Sequence, residues 1–212
     1  MTLFAFALHS SAVAILSWGI VNSVFGGAPI DIWIRTQYAG HMQFLTILGV
    51  LGTLACMSAA VLHDLTGLKA FHCAKRILLK ASMPTEAIIA GVYWSLLLFY
   101  PSLILPPSNE GNIGETFSPP DIKVDMALHA VPGLALVLDF FLFETKFNKS
   151  VLPLLLGVTA SYSCWAEFCA SKNGFFPYPF LTLSPLPGRI GIYSAVTVIA
   201  WASFTGLNKL HS

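Results

Sequence analysis

Of the 212 residues, 56% are hydrophobic and only 10% charged, with a mean hydropathy of +0.74 and a formal net charge of +1. A soluble domain is nearer a quarter charged, so this chain cannot cover itself with polar groups and its natural solvent is lipid. No basic stripe exists to neutralise phosphates, which excludes nucleic acid as a partner.

Crossing a hydrocarbon core of about 30 Å takes about 20 apolar residues. Six runs meet that length, at 3–25, 44–62, 86–105, 124–143, 151–170 and 189–207. Each is expected to be a helix, because a lone strand cannot satisfy its backbone in lipid, and nothing alternates as a membrane barrel would. The expected fold is an all-α integral membrane protein, a single domain of six transmembrane helices.

The first run lacks a basic segment before it and is longer than the apolar part of a cleavable signal, so it counts as a span. The loop after the second run holds Lys69, Lys75, Arg76 and Lys80. With Lys146, Lys149 and Lys209 these put seven basic residues on one side, against Arg35, Lys123, Lys172 and Arg189 on the other. The bias places both termini in the cytosol, in the endoplasmic reticulum or plasma membrane. The one glycosylation sequon, Asn148-Lys149-Ser150, then faces the cytosol unused. The aromatic FFPYPF stretch at 175–180 reads as an interfacial belt.

The fourth run carries the unusual chemistry. It opens VDMALHAVPG, with Asp125, His129 and Pro132, and holds Asp139 further on. At about 100° per residue Asp125 lies about 40° and Asp139 about 80° from His129, so all three share one face. Ionisable groups inside a membrane mark function more often than packing. Asp125, one turn before His129, can reach its ring or simply cap the helix. Asp139 reads as solvated or paired with a loop lysine near the cytosolic end. Pro132 cannot donate to the Leu128 carbonyl, so the helix should loosen beside the histidine.

In the second run, QFLTIL puts Thr46 about one turn below the same surface, roughly 5–10 Å deep and level with His129. A lone threonine there more often bonds its own i−4 carbonyl. Beside a histidine it has another use: a base takes the hydroxyl proton, the oxygen attacks a carbonyl, and a carboxylate orients the ring. Glu167 descends to a similar depth from the fifth run.

Other membrane chemistries lack their signatures. No di-iron histidine set, HxxxxD acyltransferase motif, GxSx turn or HExxH is present. His41 reads as interfacial, and His9 and His63 as lying at the opposite surface, so paired haem ligands are missing. The four cysteines form no CxxC pair. No metal and no cofactor is expected.

Three segments resemble the androgen-induced gene and androgen-dependent TFPI-regulating protein family of multi-pass membrane threonine hydrolases. They are QFLTIL at 43–48, VDMALHAVP at 124–132, and Trp165 with Gly174, the YPFL that begins at Tyr178, and PGRI at 187–190. The likeness covers most of the chain. It departs at Asp125, where the family has Asn, at Met126 and Ala130 around the histidine, and at Gln43, where a basic residue is expected. The resemblance implies hydrolysis of fatty acid esters of hydroxy fatty acids, with Thr46 as nucleophile and His129 as general base. Asp125 or Glu167 would orient the ring. Tyr178, Gln43 and Arg189 lie on the correct side to support the oxyanion.

The implied partner is a lipid ester entering from the bilayer. The competing reading is a lipid-binding or transport protein, for which polar groups should run the full length of a path. A purely structural protein would tolerate an apolar residue at His129.

Overall fold

The computed structural model describes residues 3–106, 118, 121–148 and 150–211. Most of the 106–121 loop and Lys149 of the sequon lie outside the described residues. Among the described residues there is no strand; the chain is an all-α membrane protein.

Helix α1 (Leu3–Val24) matches the first expected span. A short α2 (Pro29–Arg35) and a 3-10 turn at Gly40–Gln43 lead into α3 (Leu45–Thr66). Helix α3 ends at Gly67 in the left-handed conformation (φ +68°), which glycine adopts without strain. The chain then turns directly into α4 (Lys69–Phe99), of 31 residues.

This corrects the expected boundaries of the third span. The stretch with Lys69, Lys75, Arg76 and Lys80 is the first half of a helix rather than a loop. Pro84 sits inside the helix. A single proline forfeits one backbone bond, a loss that neighbouring helices can offset in a bundle.

The expected fourth span is two helices, α5 (Ile122–His129) and α6 (Val131–Phe143), bent by 41°. Asp121 caps α5 by accepting from the Lys123 N–H at 2.8 Å. The break falls at Ala130, where Pro132 removes the donor for the Leu128 carbonyl. The loosening expected beside the histidine is therefore a full interruption. Helix α7 (Leu152–Asn173), a single turn α8 (Pro179–Thr182) and α9 (Leu186–Leu210) complete the described chain.

Helices α1, α3, α4 and α9 are long and apolar enough to cross a membrane, and the bent α5–α6 pair makes a fifth candidate. Helix α7 is as long as α1 and α3 but falls short in hydropathy, its apolar run thinned by Thr159, Ser161, Ser163 and Glu167. The six expected spans are thus not matched one for one.

Helices α3 and α4 pack along their lengths, α1 lies against α3, α5 and α6, and α4 also meets α6, α7 and α9. Small residues set the closest approaches. A Cβ on Gly19 would stand 2.8 Å from that of Ala127, and one on Gly49 would stand 2.8 Å from Glu86 Oε1. Membrane helices associate through such close packing, since lipid gives no hydrophobic gain between them. The main buried cluster includes Met57, Leu79, Met83, Leu136 and Phe140.

Candidate active site

Thr46 is the second residue of α3, whose first-turn N–H groups have no acceptor within the helix. The expected bond to its own i−4 carbonyl is not formed: the Met42 carbonyl instead accepts from Trp165 Nε1 at 2.9 Å. The Tyr178 phenol lies against the Thr46 hydroxyl and the N–H groups of Leu45 and Thr46. Burial raises the Tyr178 phenol above its ordinary pKa, and these contacts offset only part of that rise. It stays a neutral O–H donor at physiological pH. The FFPYPF stretch is therefore not simply a belt, because Tyr178 turns into the bundle.

His129 is the last residue of α5, 6% exposed. Its Nδ1 lies 3.0 Å from Asp125 Oδ1 and 3.2 Å from the Asp125 carbonyl. Asp125, 2% exposed, also accepts from the Tyr93 hydroxyl at 2.5 Å. The Tyr93 ring stacks on the His129 ring, with centroids 3.4 Å apart and planes within 2°. Trp94 Nε1 donates to the His129 carbonyl at 3.3 Å, covering an acceptor that the Ala130 break leaves outside the ladder.

Two cavities meet at this point. One, of about 110 Å³, lies between α4, α7 and α9. The other, of about 260 Å³, lies between the end of α1, α2 and α5, and includes His129. Thr46, Tyr93, Ile104 and Tyr178 line both. Thr46 and His129 thus share the larger cavity, and no hydrogen bond joins them among the described residues. In unliganded sites such bonds are often long until substrate binds.

At the rim of the larger cavity Asp31 is held by Arg35 at 2.9 Å and by His41 at 2.6 Å. Arg35 also donates to the Val24 carbonyl. Burial works to raise the Asp31 carboxyl, but the bonds from Arg35 and His41 outweigh it and leave the group below its ordinary value. His41 is a cavity residue rather than a merely interfacial one.

The other predicted site residues lie elsewhere. Glu167 forms an ion pair with Arg189, at 2.7 and 3.0 Å, so neither faces His129. Gln43, fully buried, donates to Gln37 and to the Gly40 carbonyl and accepts from Asn173. It braces the entry to α3 and lines neither cavity. Of the predicted set the structure brings together Thr46, His129, Asp125 and Tyr178. Sequence reasoning missed Tyr93. Its signal was available: a tyrosine about a turn and a half inside a membrane run needs a partner for its hydroxyl.

A second buried polar group occupies the opposite end of the bundle. His9, 2% exposed, lies 2.6 Å from Asp64 and 2.8 Å from Asp139. Lys75 lies 2.7 Å from Asp139 and 2.9 Å from Glu144, which also accepts from Arg76. His9 is therefore not at a surface, and Asp139 is fully buried rather than solvated. Between the two ends sits Glu86, 1% exposed, accepting from Thr53 at 3.1 Å. No group of side chains suited to a metal ion occurs among the described residues.

Comparison with known proteins now decides the family. Residues 7–212 match the profile described as "FAR-17a/AIG1-like protein". The chain belongs to that family. It is 30% identical over 211 residues to a UPF0641 membrane protein of Schizosaccharomyces pombe, covering 98% of this chain and 90% of the relative. It is 28% identical over 225 residues to a UPF0641 membrane protein of Saccharomyces cerevisiae, again covering 98% and 90%. No solved structure gives a significant match.

Proposed function

We propose that this membrane protein is a threonine hydrolase of lipid esters, with fatty acid esters of hydroxy fatty acids as the substrate class its family resemblance implies. The observation that carries the reading is a single cavity lined by both Thr46 and His129, with the ring anchored through Nδ1 on Asp125. That anchoring leaves Nε2, which has no partner among the described residues, as the basic nitrogen.

The chemistry balances with water alone. Nε2 takes the Thr46 proton as Oγ1 bonds the ester carbonyl carbon. The tetrahedral oxyanion accepts from the Tyr178 phenol and from the first-turn N–H groups of α3. The C–O bond to the alcohol breaks, and His129 gives its proton to the leaving alkoxide. Water, deprotonated by the same nitrogen, then cleaves the acyl-threonine, freeing the fatty acid and restoring Thr46.

The membrane assignment follows from composition and helix length; in our reading both termini lie in the cytosol, in the endoplasmic reticulum or plasma membrane. A second reading, lipid binding or transport, draws support from Glu86 and Asp139, buried polar groups that continue below the site. Against it, Leu79, Met83 and Leu136, each at most 1% exposed, fill the space between. The deciding assay is hydrolysis of a long-chain ester by purified wild type, Thr46→Ala and His129→Ala. Activity in the wild type alone supports the enzyme. No activity in any of them, with retained lipid binding, favours the second reading.

A further inference from the structure

The two cavities differ in chemistry as well as size. The smaller one has no charged residue and no histidine among its lining; Ile88, Val92, Leu155, Ile192 and Val196 supply its walls. The larger one carries His129 at depth and Asp31, His41 and Asp121 toward its rim. Thr46 stands in the wall they share.

We propose, resting on the hydrolase reading above, that the ester is bound across Thr46 with its acyl chain in the α4–α7–α9 cavity and its alcohol portion in the cavity that holds His129. The mechanism fixes the direction. A general acid must reach the oxygen that leaves, and His129 lines only the larger cavity. The alcohol therefore lies on that side, and the acyl chain extends through the opposite side of the nucleophile. Size agrees, since a branched secondary alcohol needs more room than one straight chain, and the larger cavity is about 260 Å³ against about 110 Å³.

Polarity agrees too. A hydrocarbon chain gains from a wall without charges, and the alcohol's polar end can reach the polar group formed by Asp31 and His41 in the other cavity. Tyr178 and Tyr93, common to both linings, flank the ester group itself.

The test uses two amide-linked analogues of the ester with the full-length protein in detergent, one bearing a diazirine at the acyl end and the other at the alcohol end. Peptide mapping after photolysis is expected to place the acyl-end label on residues 152–173 and 186–210, and the alcohol-end label on residues 3–35 and 122–129. In parallel, Ile192→Trp is expected to lower the ratio of kcat/KM for a hexadecanoyl ester to that for an acetyl ester of the same alcohol at least tenfold. Swapped labels, or an unchanged chain-length ratio, in a protein that hydrolyses esters overturn the partition and leave the hydrolase reading standing. A wild-type protein that hydrolyses none of the esters overturns that reading, and the partition falls with it.

Discussion

Two buried polar clusters occupy opposite ends of the same helices, and they are built on different plans. From Thr46 to Asp64 helix α3 rises about 27 Å. At the Asp64 end, three carboxylates face Lys75, Arg76 and His9, and neither cavity reaches them. Each charge there is answered by another from a different helix, so α1, α3, α4 and α6 are tied together. At the Thr46 end one histidine meets one carboxylate, a hydroxyl lies nearby, and both cavities open beside them. A set of mutual ion pairs that no cavity reaches can hold helices but offers no group to a ligand. An incomplete set beside empty space is what a reaction site requires. Burial of a charge in a membrane helix is therefore a weak sign of chemistry until its partners are counted.

Removing Thr46 or His129 gives the sharpest break in that comparison. Thr46→Ala and His129→Ala are each expected to lower ester hydrolysis by about 10²–10⁴-fold while thermal unfolding in detergent stays near wild type. Thr46 meets the Tyr178 phenol and His129 stacks on Tyr93, but neither side chain takes part in an ion pair between helices of the kind that ties the far cluster. An enzyme that keeps its rate in either variant would return the site to the status of the far cluster.

The far cluster should respond the opposite way. Lys75→Met leaves Asp139 without its ammonium in a site that is fully buried. Breaking one partner of such a pair costs about 3–5 kcal/mol, so unfolding in detergent should come at clearly lower temperature. Activity per folded molecule should be unchanged. A stable Lys75→Met protein with lost hydrolysis would mean that the two ends act together, as a transport path would.

Tyr178→Phe tests the intermediate case, a residue that both packs and donates. Its phenol is held neutral by burial, and loss of one oxyanion donor costs about 10²–10³ in kcat. KM should move far less, since the interaction strengthens only as charge develops. A change confined to KM would make Tyr178 a wall of the cavities and nothing more.

The proposed pair was legible because polar groups are scarce in apolar runs, so Thr46 and His129 stand out by type and depth. Pro132 likewise announced the break at Ala130. The rest depended on which helix lies beside which. Asp139 reads from sequence as solvated or paired with a loop lysine; Lys75 supplies that pair, but the full burial and the contact with His9 depend on helices whose positions periodicity cannot assign. Glu86 is the first residue of the expected third run, and a residue at an edge is not suspected of burial inside a longer helix. Gln43 and Arg189 were on the expected side but tied to Gln37 and Glu167, contacts that depth alone cannot foresee.

The smallest expected effect separates two carboxylates that the sequence ranked together. Asp125→Ala removes the side-chain acceptor that holds the His129 ring through Nδ1. Hydrolysis should fall roughly tenfold or more. Glu167→Gln should not lower it. Its partner Arg189 is near the surface, the pair is partly exposed, and ion pairs of that kind contribute little. Measured kcat/KM and pH profile for Glu167→Gln are expected to overlay wild type. A tenfold loss in Glu167→Gln with Asp125→Ala unaffected would reverse the assignment, and would require α7 to move toward His129 when substrate binds.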